Sequence, residues 1–197
     1  IRKYPPVLTY CLPCFFDDTK VNRATDAPVG MGNYVLYHGN LSVLENIRVV
    51  DYILEHLVPG IDVDIQVVIA GKNPDKCLQD KISRLPNVVL VANPSLEEME
   101  GLIALARIHL LLTFQNTGIK LKLIYALMKG RGHCLVNPMM IPDAGFEELC
   151  TIVDGEEAQV AAIRELYHVS PEPEALEWRY QALKEMGYDN RVTLILR

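Results

Sequence analysis

The stretch TFQNTGIKLKLIYALMKGRG, residues 113–132, lies between two short apolar runs, IHLLL at 108–112 and CLV at 134–136. From Ile119 onward its apolar residues recur mostly at helical spacing, and the glycines near residue 130 are typical of a helix end. The flanking runs are continuously apolar, as in strands that are buried on both faces. This part of the sequence therefore predicts a strand, a polar loop, a helix and a second strand.

Two lysines, Lys120 and Lys122, fall in or just before the first turn of this predicted helix. Free amides and the helix dipole already place partial positive charge there, so each cation is unfavourable by roughly 0.3 to 1 kcal/mol. The placement is explained if an anion completes the site, because a helix start with lysines is a phosphate receptor. The alternative is that both ammonium groups extend into water, and this stretch alone leaves the two interpretations open.

The alternation of strand and helix continues in both directions from this stretch. The predicted strands are residues 34–38, 65–70, 88–92, 108–112, 134–136 and 151–153. Ser42 with Glu45, and Ser95 with Glu98, have the S-x-x-E spacing of a capping box and predict helix starts after the first and third strands. Buried strands that alternate with helices predict a Rossmann-like, doubly wound parallel α/β sheet with helices on both faces.

The predicted domain organisation has three parts. Residues 1–33 form an N-terminal strand and linker, residues 34–170 form the Rossmann-like domain, and residues 171–197 form extra C-terminal helices. A chain of 197 residues suits one such domain with appended helices and is too short for two full α/β domains. Because the chain begins at Ile1 rather than Met, we interpret it as a piece of a larger protein.

The composition argues against several function classes. Half of the residues are hydrophobic and the net charge is −6, which indicates a globular protein and does not favour nucleic-acid binding. No apolar run approaches the roughly 20 residues that span a bilayer, and no signal-peptide pattern is present. Five cysteines without an even framework favour a cytoplasmic location. Cys11 and Cys14 form a CxxC without further ligands at metal-binding spacing, so no metal site is predicted.

Ligands of parallel sheets bind at the carboxyl ends of the strands, so the loops between strands and helices are the candidate site. These loops contain no GxGxxG, GxxxxGK[ST] or GxSxG motif, which argues against dinucleotide-binding oxidoreductases, P-loop NTPases and serine hydrolases. Lys72 follows the second strand and either adds positive charge to a ligand site or is a solvated turn residue. His38 and His133 flank strand ends, where a structural role is favoured. The nearest carboxylates, Asp143 and Glu147, form no evident general-base pair, so the catalytic residues are unknown.

Taken together, these segments resemble the C-terminal, nucleotide-sugar-binding domain of GT-B glycosyltransferases, in the glycogen-synthase-like group often called family four. The matching segments are YVLYHGNLSVLEN at 34–46, VVIAGKNP at 67–74, NVVLVANPSLEEM at 87–99, TGIKLKLIYALMKGR at 117–131 and CLVN at 134–137. Their order and spacing match over residues 34–154. Their conjunction is much more specific than any single segment.

By that resemblance the donor-binding residues follow the strand ends. The first loop faces the donor diphosphate with a lysine of the second loop beside it, and the backbone of the third loop holds the base. The fourth loop approaches the sugar and phosphates, and Lys120 or Lys122 completes the anion site. The implied residues are Gly39, Asn40, Lys72, Asn93, Gln115, Asn116, Thr117, Gly118, Lys120, Lys122 and Tyr125.

The sequence departs from the family pattern at four positions. Asn40 and Glu45 stand where the family commonly has an Arg and a Lys that neutralise the diphosphate. Gln115 replaces an acidic residue of the sugar-contacting loop, and Tyr125 replaces the Glu that binds the ribose hydroxyls. A tyrosine hydroxyl donates or accepts one hydrogen bond where a carboxylate accepts two, so we expect ribose binding to be weaker or differently built.

The resemblance implies transfer of a sugar from a UDP-, GDP- or ADP-sugar to a glycan or lipid-linked acceptor in polysaccharide biosynthesis, without a further cofactor. In the family an N-terminal acceptor-binding domain precedes this one, and the full-length enzyme meets membranes only peripherally. Both domains must close over the crevice to exclude water, so we expect this chain alone to be inactive. Two alternatives remain: a non-catalytic α/β interaction domain, and half of a nucleotide-sugar epimerase. The base, sugar, acceptor and stereochemistry stay open.

Overall fold

The computed structural model describes residues 17–21, 32–115, 120–141 and 146–187. Several predictions fall outside these ranges. They are the N-terminal strand, the CxxC motif, the site residues Asn116, Thr117 and Gly118, Asp143, and the part of the C-terminal helices beyond residue 187.

The described residues form one sheet of six parallel strands. These are Tyr34–Asn40 (β1), Gln66–Lys72 (β2), Val88–Ala92 (β3), Ile108–Leu111 (β4), His133–Val136 (β5) and Thr151–Ile152 (β6). Their order across the sheet is β3-β2-β1-β4-β5-β6, and all neighbouring pairs are parallel. The chain reverses its direction of travel across the sheet between β1 and β4, as in a doubly wound fold. The predicted fold class is therefore confirmed.

Helices connect the strands and cover both faces of the sheet. Within the described residues they are Leu44–Tyr52 (α1), Lys76–Ile82 (α2), Leu96–Leu105 (α3), Leu121–Lys129 (α4), Glu156–Tyr167 (α5) and Pro173–Met186 (α6). A π-helical turn at Ile53–Leu57 and a 3-10 turn at Val58–Gly60 extend α1. Further 3-10 turns are Asp18–Lys20, Pro138–Met140 and Glu147–Leu149.

Alternate residues of the central strand β1 pack on opposite faces. Val35 and Tyr37 belong to a core cluster with residues of α1, α2 and α5, whereas Leu36 packs with Ile103 of α3. A third cluster joins β4 and β5 to α4 and α6. Because both faces of the sheet are buried, the strands read as continuous apolar runs rather than alternating ones.

The two predicted capping boxes have different outcomes. At α3 the Ser95 hydroxyl accepts from the backbone N–H of Glu98, whose carboxylate accepts from the N–H of Ser95, so this box is confirmed. At α1 the prediction is wrong, because the helix begins at Leu44 after Val43, which makes no side-chain cap. Glu45 instead bonds to residues beyond β4, as described below.

The carboxyl ends of β1 and β2 lie very close together. A Cβ atom added at Gly71 would lie 1.9 Å from the carbonyl oxygen of Gly39, so the backbones can meet there only because residue 71 is glycine. The N–H of Leu41 then donates to the carbonyl of Lys72 at 2.8 Å. The first two strand-to-helix loops therefore run side by side at this edge.

Candidate functional site

The described candidate residues lie along the carboxyl edge of the sheet and on α4, which begins there. Asn40 and Lys72 end β1 and β2 and are direct neighbours in register. Asn93 follows β3, and its N–H donates to the carbonyl of Gly71 at 2.8 Å. Gln115 follows β4, and the lysines at 120 and 122 lie at the start of α4. Three other predicted residues, Asn116, Thr117 and Gly118, lie outside the described ranges.

Asn40 organises the turn between β1 and α1. Its Oδ1 accepts hydrogen bonds from the N–H and the hydroxyl of Ser42, at 3.1 and 2.8 Å. Its backbone carbonyl accepts from Nδ2 of Asn46 at 2.9 Å. Asn40 thus uses its side chain within the loop, and it links the end of β1 to Asn46, the residue that also contacts Lys122.

Lys122 points inward toward β1 and α1. Its Nζ donates to Oδ1 of Asn46 at 2.9 Å and to the hydroxyl of Tyr37 at 3.2 Å, and it lies 4.8 Å from the centre of the Tyr37 ring. Burial lowers the pKa of Lys122 to about 8, with Glu45 opposing the shift and Lys120 adding to it. Lys122 is therefore a partly buried cation at neutral pH that is held by neutral groups.

The other two lysines have different surroundings. Nζ of Lys120 donates to the backbone carbonyl of Gln115 at 2.7 Å, so it spans the start of α4 and the end of the β4 loop. Burial lowers the pKa of Lys120, and Glu45 opposes this shift. Lys72 is exposed at the end of β2. The three cations therefore reach the carboxyl edge of the sheet from two different loops, and Lys120 and Lys122 are more buried than Lys72.

Glu45 has a role at this edge that the sequence analysis missed. Its Oε1 accepts from the N–H of Phe114 at 2.6 Å and from the hydroxyl of Thr113 at 2.9 Å. Asn137 holds the same segment from the other side, because it exchanges two hydrogen bonds with the backbone of Thr113, at 3.2 and 2.7 Å. The departure of Glu45 from the family pattern was the available signal, although the S-x-x-E spacing suggested a capping role.

Asn73 and Asn93 give the loops after β2 and β3 a common geometry. Both have left-handed backbones, with φ of 55° and 54°, which asparagine tolerates better than most residues. The N–H of Asn73 donates to Oδ1 of Asn93 at 2.8 Å. The third loop is therefore tied to the second.

Tyr125, the predicted substitute for a ribose-binding carboxylate, has a carboxylate as its partner. Its hydroxyl donates to Oε1 of Glu100 on α3 at 2.5 Å. Burial first, and then Glu100, raise the pKa of Tyr125 to about 12. The pair presents both a phenol and a carboxylate beside α4, and the sequence analysis did not identify Glu100.

The histidines considered from the sequence are poorly suited to acid–base chemistry at this edge. His38 is buried near the end of β1, and burial together with the charge of Lys122 lowers its pKa to about 4. His133 starts β5 at the opposite edge, where its Nε2 lies 2.9 Å from the carbonyl of Val169.

Within the described ranges, no three His, Cys, Asp or Glu side chains are grouped as a metal site. None of the helices in these ranges could cross a membrane.

The sequence matches no protein-family model and no curated protein, but solved structures share its fold. AviGT4, a glycosyltransferase involved in avilamycin A biosynthesis, is similar over 93% of this chain with a TM-score of 0.63 and 14% identity. A UDP-forming α,α-trehalose-phosphate synthase from Burkholderia xenovorans is similar over 85%, with a TM-score of 0.59 and 12% identity. The pneumococcal O-GlcNAc transferase GtfA, solved with UDP and GlcNAc, is similar over 88%, with a TM-score of 0.60 and 14% identity.

At such low identity the similarity shows the fold and not the reaction. This chain spans 55%, 44% and 36% of the lengths of these three structures. The neighbours are GT-B glycosyltransferases, so the resemblance is confirmed at the level of the fold, while the family-four-like subgroup stays a prediction. The chain has the Rossmann-like fold of a domain from GT-B glycosyltransferases.

Proposed function

We propose that the chain is the nucleotide-sugar donor-binding domain of a glycosyltransferase of the family-four-like group. The observation that carries the proposal is the gathering of Lys72, Lys120 and Lys122 at the carboxyl edge of a sheet that shares its fold with glycosyltransferases. Parallel sheets bind ligands at this edge, and lysines beside free amides suit a diphosphate. In this proposal the lysines neutralise the diphosphate, and the loop at Gly39 and Asn40 lies against it.

The remaining candidate residues contact the rest of the donor. The Asn93 loop lies against the base, and Gln115 with Asn116, Thr117 and Gly118 approaches the sugar. Tyr125 and its partner Glu100 contact the ribose, because a hydroxyl and a carboxylate together offer the donor and acceptor groups that a diol requires. The donor is a UDP-, GDP- or ADP-sugar, and binding it requires no further cofactor.

The reaction assigned to the full enzyme is hexosyl transfer to a glycan or lipid-linked acceptor in polysaccharide biosynthesis, in the cytoplasm. The described residues offer no clear general base at the edge, and the chain spans about half or less of its structural neighbours. An N-terminal acceptor-binding domain supplies the missing half in this proposal. The chain alone then binds donor without transferring sugar, since closure of two domains is needed to exclude water.

A thermal-shift panel of UDP-, GDP- and ADP-sugars tests donor binding. A ligand at a hundredfold excess over its dissociation constant stabilises the fold by about 2.7 kcal/mol, which raises the melting temperature by several degrees. Lys122→Met and Lys120→Met are expected to weaken binding about tenfold, whereas Lys76→Met, which removes an exposed cation of α2, is expected to leave it unchanged. Absence of any shift with every nucleotide would contradict the proposal.

A second candidate function is a non-catalytic interaction domain. The carboxylate of Glu45 favours it, because it places a negative charge where a diphosphate would need positive charge. This candidate predicts that no nucleotide changes the melting temperature. An epimerase half is less favoured, since His38 is buried with a pKa of about 4 and His133 lies at the other edge.

A further inference from the structure

Glu45 occupies a set of hydrogen-bond donors that is suited to an external anion. The N–H of Phe114 and the hydroxyl of Thr113 converge on Oε1 of Glu45, at 2.6 and 2.9 Å. A backbone N–H and a hydroxyl that point at one oxygen are typical hydrogen-bond donors to phosphate oxygens in loop binding sites. The position lies directly after β4, on the side of the sheet edge where α4 begins.

The second carboxylate oxygen of Glu45 fits this position less well. Oε2 is buried, and no described residue forms a hydrogen bond to it. Lys122 is close enough to interact electrostatically with Glu45, yet its ammonium donates to Asn46 and Tyr37 and forms no ion pair with the carboxylate. A buried acceptor without a donor is unfavourable, because it has lost its hydrogen bonds to water without replacing them. The carboxylate therefore accepts both hydrogen bonds through Oε1, while Oε2 has no donor and the ammonium of Lys122 bonds to other groups.

We propose that Glu45 is an internal anion that fills the phosphate position of the candidate site, and that a diphosphate ligand binds by displacing it from Phe114 and Thr113. The inference rests on the proposed function, since it concerns the same anion site. A phosphate oxygen takes over both hydrogen bonds, and the carboxylate turns to solvent. Glu45 thereby lowers the affinity for diphosphates and discriminates against ligands that cannot replace it.

The test measures binding of UDP and of inorganic pyrophosphate to the whole chain by calorimetry at constant ionic strength. Glu45→Gln replaces the carboxylate by an amide, whose oxygen can still accept from Phe114 and Thr113, and it removes the negative charge. We expect it to bind UDP and pyrophosphate at least about tenfold more tightly than the parent protein, because like charges at short range strongly oppose binding. Glu165→Gln removes the same charge from an exposed position on α5 and is expected to bind like the parent.

The possible results separate the inference from the proposed function. Binding by the parent with equal or weaker binding by Glu45→Gln overturns the inference and leaves donor binding intact. Tighter binding by Glu45→Gln than by a parent protein that itself binds UDP supports the inference. Binding by Glu45→Gln alone would overturn it, because the parent would then not exchange its carboxylate for a diphosphate. If neither protein binds UDP or pyrophosphate, both the inference and the proposed function are overturned.

A second measurement needs no variant. In the ¹⁵N-labelled parent protein, the amide resonance of Phe114 reports on the hydrogen bond to Glu45. We expect this resonance to shift as UDP is added, with the same dependence on UDP concentration as binding. The shift is expected because the acceptor of the Phe114 N–H changes from a carboxylate to a phosphate oxygen. Saturation with UDP that leaves the Phe114 amide unchanged would overturn the inference even if Glu45→Gln failed to fold.

Discussion

Two S-x-x-E segments open helices after parallel strands of this sheet, and they use their glutamates differently. In the segment that follows β3, Glu98 bonds back to the N–H of Ser95 at 2.7 Å and closes a capping box. In the segment that follows β1, Glu45 reaches across to the N–H of Phe114 at 2.6 Å. The same spacing therefore produces a local cap in one place and a tertiary contact in the other.

The position of each strand in the sheet explains the difference. β3 is an edge strand with β2 as its neighbour on one side, whereas β1 lies between β2 and β4. The end of β4 consequently presents a backbone N–H and a hydroxyl beside the start of α1. The carboxylate of Glu45 accepts two hydrogen bonds there instead of one, and the local N–H of Ser42 already donates to Asn40.

The largest expected effect is on stability when the first glutamate is removed. Glu45→Ala removes the carboxylate that accepts from the N–H of Phe114 and the hydroxyl of Thr113, and we expect a loss of about 2 kcal/mol in the free energy of unfolding. Glu98→Ala is expected to lose less, because water can replace an exposed carboxylate. Urea denaturation of the ligand-free proteins measures both. Equal losses would remove the distinction between the two segments.

The second effect depends on Lys122, the partly buried cation that Glu45 influences. In the folded protein the ammonium group of Lys122 loses its proton near pH 8, whereas an unperturbed lysine keeps its proton until about pH 10.5. The unfolded state therefore binds more protons between these values, and the free energy of unfolding should rise with pH by about 2 kcal/mol across that window.

Denaturation at several pH values between 7 and 10.5 tests this expectation. Lys122→Met should remove that part of the pH dependence, while Lys76→Met, on the exposed surface of α2, should retain it. A Lys122→Met protein with the pH profile of the parent would show that another group is responsible.

The smallest effect concerns the two serines. Ser95 accepts from the N–H of Glu98 at 3.2 Å as a true N-cap, so Ser95→Ala should lower the free energy of unfolding by about 1 kcal/mol. Ser42 instead donates to the side chain of Asn40 in an exposed turn, and Ser42→Ala should cost less than about 0.5 kcal/mol. Thermal or urea unfolding distinguishes them, and a larger cost at Ser42 would reverse our interpretation of α1.

The order of strands and helices was predictable because it depends on local pattern. Runs such as IQVVIA and IHLLL are too short and too apolar for surface helices, and the helix after residue 119 follows from its apolar spacing. Because the loops after parallel strands lie at the carboxyl edge of the sheet, the loops of Lys72 and Lys120 can be placed there without knowing any side-chain contact. The position of the candidate edge was thus accessible from sequence, while the donor-binding role of all its predicted residues stays a prediction.

The partners of individual side chains were not predictable in this way. That Lys122 turns inward to Tyr37 and Asn46, and that Tyr125 donates to Glu100, depends on which helices become neighbours once the sheet is assembled. These residues are 85, 76 and 25 positions apart in the chain. No periodic pattern within one segment encodes such a contact.

The sequence by itself determined a doubly wound sheet with lysines at its carboxyl edge, because hydrophobic periodicity and the rules of parallel pairing act locally and apply to every strand. Only the tertiary structure decided that Glu45 bonds to Phe114 while Glu98 caps its own helix. The physical reason is competition between acceptors and donors, which depends on the groups that a neighbouring strand places within hydrogen-bonding distance.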